Sequence, residues 1–173
     1  MINKKGMGVG QVFLFIIAAI TFSLIMIFGY KAITGFIDSG EKVAFVQFKT
    51  DLESSIKRIY TEFGSVRIRE YRLPLKYEQI CFVNLDAQAN SDLLAINPEA
   101  YSVWKRANDD RRGYEEENIN VFLIPPSDVP IKVFRIRMEN DFLCPPIFNG
   151  RFSLLLEGRG DHTRLSIPEP ENQ

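Results

Sequence analysis

The sequence predicts an α+β protein: a long N-terminal transmembrane and spine helix, then an antiparallel β-sheet domain with one short inserted helix. Three observations carry this. The run Val12 to Tyr30 (VFLFIIAAITFSLIMIFGY) contains no charge and no proline. After it, Phe45, Phe48, Leu52, Ile56, Ile59 and Phe63 recur at steps of three and four, the period of one helix face. Beyond Gly64 the apolar residues recur mostly at steps of two, between Pro, Gly and Asn turn signals, as strands require.

At ~1.5 Å per residue the uncharged run is about 28 Å long as a helix, close to the ~30 Å hydrocarbon thickness of a bilayer. Phe13, Leu14, Phe15, Ile16 and Ile17 are consecutive, so the run is apolar on every side. Such a helix is either buried in a large core or spans a membrane, and the remainder of a 173-residue chain is too short to wrap it. Residues 1–10 therefore read as a basic leader, 11–37 as a transmembrane helix and 38–64 as an amphipathic helix. Residues 65–167 form a β-rich domain and 168–173 a flexible tail. The expected partner of 11–37 is a lipid bilayer.

Charge sets the expected orientation. Lys4 and Lys5 precede the span, and the first acidic residue is Asp38. Setting aside Lys4, Lys5 and Lys31, the 21 basic residues fall to 18 against 22 acidic ones, so the part from Asp38 onward is net −4. Basic flanks stay cytoplasmic. The expectation is a single-pass cell-membrane protein with its N-terminus in the cytoplasm and its C-terminal domain outside. An acidic outer domain gives no support for nucleic-acid binding, which favours a basic face.

The leader (MINKKGMGVG) has no small-x-small exit for a secretory signal peptidase after the apolar run. One reading is an uncleaved signal anchor. Alternatively, Lys4-Lys5-Gly6 before a long apolar helix resembles the class III leader of type IV pilins and archaeal pilin-like proteins. That resemblance covers roughly the N-terminal third of the chain. It implies cleavage on the cytoplasmic side between Gly6 and Met7, or between Gly10 and Gln11, with the hydrophobic helix retained. With the first cut, Gln11 becomes the fifth mature residue, where many pilins carry Glu. This departure bears on filament assembly.

After the span, Asp38 and Glu41 fit a capping box opening a new helix. The other reading is one helix running through Gly35 and Gly40. The stripe Phe45, Phe48, Leu52, Ile56, Ile59 and Phe63 is expected to pack on the protein's own sheet, the alternative being a partner helix. The sheet's inner face should draw on Ile80, Phe82, Phe122, Phe134, Ile136 and Leu154. Gly64 suits the stop after the helix.

In the outer domain, 65–73 places Val66 and Ile68 on one face and arginines on the other, with a shift at Glu70. Segment 77–85 is apolar on both faces around Ile80 to Val83, which suits a central strand. Asn97-Pro98 opens the inserted helix, with Asn97 as its cap. Residues 108–118 form a charged loop, solvated or an interaction epitope, without the spacing of a calcium loop. Strands follow at 121–124, 131–138, 141–144, 151–157 and 163–167, and Asn149-Gly150 marks a tight hairpin turn.

Candidate chemistry is sparse. His162 is the sole histidine, which excludes a zinc site built on several imidazoles. Cys81 and Cys144 are the two cysteines; they either form a structural bridge or remain two buried thiols, and no C-x-x-C is present. Gly158-Arg159-Gly160-Asp161 contains an adhesion-type tripeptide, read here as a turn. No catalytic, metal or cofactor residues are assigned. The expected function is a pilin-like structural protein, self-assembling or bound to other envelope proteins. The alternative is a non-polymerising anchored domain that binds another envelope component.

Overall fold

The computed structural model describes residues 9–109 and 113–168. The chain divides into two units, Met1–Val43 and Ala44–Gln173. Its first element is α1 (Val9–Thr61), followed by β1 (Val66–Arg72), β2 (Gln79–Val83), α2 (Asp92–Ile96), α3 (Pro98–Asp109) and α4 (Gly113–Glu116). Then come β3 (Val121–Ile124), β4 (Ile136–Arg137), β5 (Phe142–Leu143), β6 (Arg151–Gly158) and β7 (Thr163–Ser166). This is the α+β arrangement expected. No break falls at Asp38, so the reading of one continuous helix holds over the capped second helix.

The first unit is α1 up to Val43. Phe13, Leu14, Ile25 and Phe28 are each more than 60% exposed, so no core of the protein's own covers them. The hydroxyls in this stretch bond inward: Thr21 donates to the Ile17 carbonyl at 3.0 Å and Ser23 to that of Ala19 at 2.8 Å. They need no partner outside the helix, as a hydrocarbon environment demands.

In the second unit two sheets stand in place of one. The larger has the order β1-β6-β7-β4 and the smaller β3-β2-β5. All pairings are antiparallel except β4 with β7, which is parallel. Segment 131–138, expected as one strand, is regular only at Ile136–Arg137. Among the described residues the inserted region holds three helices, not one. Asn97 does cap the longest: its Oδ1 accepts the Ala100 N–H at 2.9 Å.

The apolar stripe of α1 forms the main core. Phe45, Phe48, Leu52, Ile56 and Ile59 are buried together with Tyr71, Ile80, Phe82, Ile136, Phe152, Leu154 and Leu156. Phe48 lies edge-on to both Tyr71 and Phe152. Burying each large side chain is worth about 1.5–3 kcal/mol, which fixes this part of α1 to the sheet.

Phe63 departs from the stripe, at 80% exposed. α1 ends at Thr61, so the next step of four no longer projects from the same face. The cause is close backbone contact. A Cβ on Gly158 would lie 2.3 Å from the carbonyl oxygens of both Ile59 and Glu62, far inside contact distance. The last turn of α1 therefore sits on the backbone of β6, leaving no space there for an aromatic ring.

Two of the six expected sheet residues belong elsewhere. Phe122 and Phe134 pack in a second core with Cys81, Val83, Leu93, Val103 and Trp104. The register of β2 and β3 explains Phe122. It opposes Cys81, whereas Leu123 and Val121 oppose Ile80 and Phe82, and successive side chains point to opposite faces. A doubly apolar β2 thus separates one core under α1 from another under α3. In β1 the faces are also reversed from a simple reading: Val66 and Ile68 are exposed while Tyr71 is buried. The strand pairs with β6 in unbroken register from Val66 to Arg72, with no shift at Glu70.

Candidate functional site

Of the residues singled out in the leader, Lys4, Lys5, Gly6 and Met7 lie outside the described residues. Gly10 and Gln11 fall within the first turns of α1. Among the described residues one helix is long and apolar enough to cross a membrane, and the apolar window within it is wholly uncovered by the protein.

Cys81 and Cys144 are joined in a disulfide, with Cα atoms 4.1 Å apart. Phe82 opposes Leu143 and Val83 opposes Phe142, so the bridge extends that ladder by one rung. It ties the segment after β5 to the central strand of the smaller sheet. Cys81 is fully buried.

A polar link crosses between α1 and β1. Ser55 Oγ donates to the Leu52 carbonyl at 3.1 Å, and the Tyr71 hydroxyl bonds to the same Ser55 Oγ. With the serine proton committed to the carbonyl, Tyr71 is the donor. Burial pushes the Tyr71 phenol above its usual value, against the opposing effects of Ser55 and Arg69. Burial thus holds it neutral. Because the folded value is raised, its contribution is intact below about pH 10, where an unfolded tyrosine begins to ionise, and is lost as the pH climbs through the folded value. Tyr71→Phe is expected to cost about 1 kcal/mol at neutral pH and to flatten the alkaline decline in melting temperature. Melts of the full chain in detergent between pH 8 and 12 check it; unchanged alkaline profiles would reject the role.

The polar cleft of the domain, about 310 Å³, is lined by residues including Asp86, Arg135, Arg137, Asp141, Asp161 and His162. Its charged groups are satisfied locally. Arg135 pairs with Glu115 at 2.8 Å, and Asp141 accepts from Asn84 at 2.8 Å. Asp86 accepts the Tyr114 N–H at 2.9 Å. Asp161 bonds His162 Nδ1 at 2.7 Å, a contact that holds its carboxyl below the usual range. Among the described residues no group of His, Cys, Asp and Glu is placed to hold a metal ion.

The adhesion-type tripeptide closes the β6–β7 hairpin, with the Arg159 N–H on the His162 carbonyl at 3.0 Å. Arg159 is engaged by Glu157 at 2.9 Å, and Asp161 by His162. Both charged members are thus committed to the domain's own surface. Sequence reasoning missed the Ser55–Tyr71 link, since a lone serine in an apolar stripe carries no signal of its partner.

Comparison of the chain with protein-family models, with curated proteins and with solved structures gave no match.

Proposed function

We propose that the chain is a single-pass, pilin-like structural protein with its N-terminus in the cytoplasm and its β-rich domain outside the cell membrane. The observation that supports this most is the double use of α1. Its first part bears apolar side chains on all sides that nothing in the protein covers. From Phe45 to Ile59 the same helix is the central element of the domain core. A protein that acts through an anchored spine needs both surfaces on one helix. The leader Lys4-Lys5-Gly6 and the orientation expected from its basic charge add to the reading. Its work is assembly or binding, without a catalytic step or cofactor, and nucleic acid is not a partner.

The alternative, an anchored domain that binds another envelope component without polymerising, rests on Gln11 at the position where many pilins carry Glu. Isolation of surface filaments containing the chain would support the structural reading; its recovery only in the membrane fraction would favour the alternative. Mass spectrometry of the mature N-terminus, at Met7 or Gln11, tests the leader.

Orientation gives a separate prediction. Protease added to intact cells should remove the domain beyond Asp38, and full protection would reject the topology. Ile20→Arg should cost about 2.5–3.5 kcal/mol of insertion free energy and reduce the membrane-bound fraction in carbonate extraction.

A further inference from the structure

We propose that Arg137 and Arg164, side by side on the outer face of the larger sheet, form a binding site for a phosphate group. The proposal lies within the β-rich domain and is independent of how the chain is anchored. It starts from register. β4 and β7 run parallel, with Ile136 beside Thr163 and Arg137 beside Arg164. Ile136 and Thr163 are buried, and successive side chains of a strand point to opposite faces. Both arginines therefore project outward from adjacent positions. Like charges set directly opposite one another on neighbouring strands destabilise a sheet. The pair opposes folding unless something negative lies between the two guanidinium groups.

The domain's own carboxylates do not fill that role. Glu157 stands opposite Arg164 on β6, but its carboxylate is taken by Arg159 at 2.9 Å. Asp161 bonds His162 Nδ1 at 2.7 Å and reaches Arg137 only at 4.0 Å. Glu139 lines the same surface and is paired with neither arginine. Arg164 has no hydrogen-bond or ion-pair partner among the described residues. The Arg137 side chain is 60% exposed, so its remaining donors are open to a ligand.

The shape of the surface and the chemistry of the pair point to phosphate. Arg137 and Arg164, with Arg159 and His162, line a depression of about 360 Å³, within the ~300–1,000 Å³ of small-molecule sites. A carboxylate's two oxygens are satisfied by one guanidinium fork. A phosphate offers more acceptor oxygens, enough for two forks at once. A phosphate monoester also carries about −1.5 to −2 charge at neutral pH, which offsets both arginines.

The test titrates inorganic phosphate, glycerol 3-phosphate and succinate into the full chain in uncharged detergent at low ionic strength. Phosphorus NMR line widths and the melting temperature are followed. Saturable phosphate binding with a Kd of about 1 mM or below is expected. Arg137→Gln and Arg164→Gln should each weaken it about tenfold or more, since each removes one charge-assisted fork. Arg72→Gln removes the same charge at the far end of β6, beside Arg151, and should leave affinity within about twofold. Without phosphate, Arg164→Gln should melt no lower than the parent, because it relieves the repulsion; with phosphate the parent should gain stability that the variant does not. Tighter binding of glycerol 3-phosphate supports a phosphate monoester as the ligand, and tighter binding of inorganic phosphate supports the free ion. Three results overturn the proposal. One is no saturable binding of either phosphate probe, and another is equal loss in all three variants, which marks general charge attraction. The third is succinate binding as tightly as phosphate.

Discussion

Replacing Leu52 with alanine is expected to destabilise the β-rich domain by about 2–5 kcal/mol while leaving membrane insertion unchanged. Leu52 is completely buried, at the middle of the stripe that runs from Phe45 to Ile59. Truncation removes the transfer free energy of its side chain and leaves a cavity that a helix pinned at both neighbouring turns cannot close. Phe48 above it is held by Tyr71 and Phe152. Ile56 below is held by a hydrogen bond from the Thr163 hydroxyl to its carbonyl at 3.1 Å. Guanidinium unfolding of the full chain in detergent, followed through buried Trp104, measures the loss, and carbonate extraction checks insertion. A change under ~0.5 kcal/mol, the usual range for surface substitutions, would mean that this part of α1 is not a core element. Phe63→Ala serves as the contrast, since Phe63 is largely exposed and should fall within that small range.

The second large effect is expected from the disulfide. The double substitution Cys81→Ala and Cys144→Ala should lower stability by about 4 kcal/mol. That is the chain-entropy value for a closed loop of this size, the two cysteines being 63 positions apart. For a domain of this length the melting temperature should fall by on the order of 10 °C or more. Cys81 also loses its packing among Val83, Trp104 and Phe122 in the second core, so the loss extends beyond the cross-link. Calorimetry of the full chain in detergent, with the oxidised protein as reference, reads the shift. A melting temperature within about 2 °C of the parent would show that the bridge contributes nothing to the folded domain.

Both effects are partly legible in the sequence. The stripe announces itself because a helix repeats its faces every 3.6 residues, and five of its six members lie where that period places them. The uncharged run at Val12 to Tyr30 is legible for a stronger reason: its length and composition match the bilayer. The cysteines were open to two readings, because pairing depends on which strands meet, and that is a matter of topology. Register joined them by setting β5 antiparallel to β2.

Local sequence by itself determined the elements whose cause is local. These are the apolar span, the stripe, the Asn97 cap, the Asn149-Gly150 turn and the doubly apolar central strand. Each follows from a few neighbouring side chains and one backbone period. Tertiary structure alone decided where α1 stops counting as core, because Gly158 admits the carbonyls of Ile59 and Glu62 against β6 and so turns Phe63 outward. It also decided that Phe122 serves a second core, that the domain has two sheets, and that Arg137 and Arg164 stand side by side. Those outcomes depend on contacts between residues far apart in the chain, and strand alternation specifies two faces without saying which neighbour each one will meet.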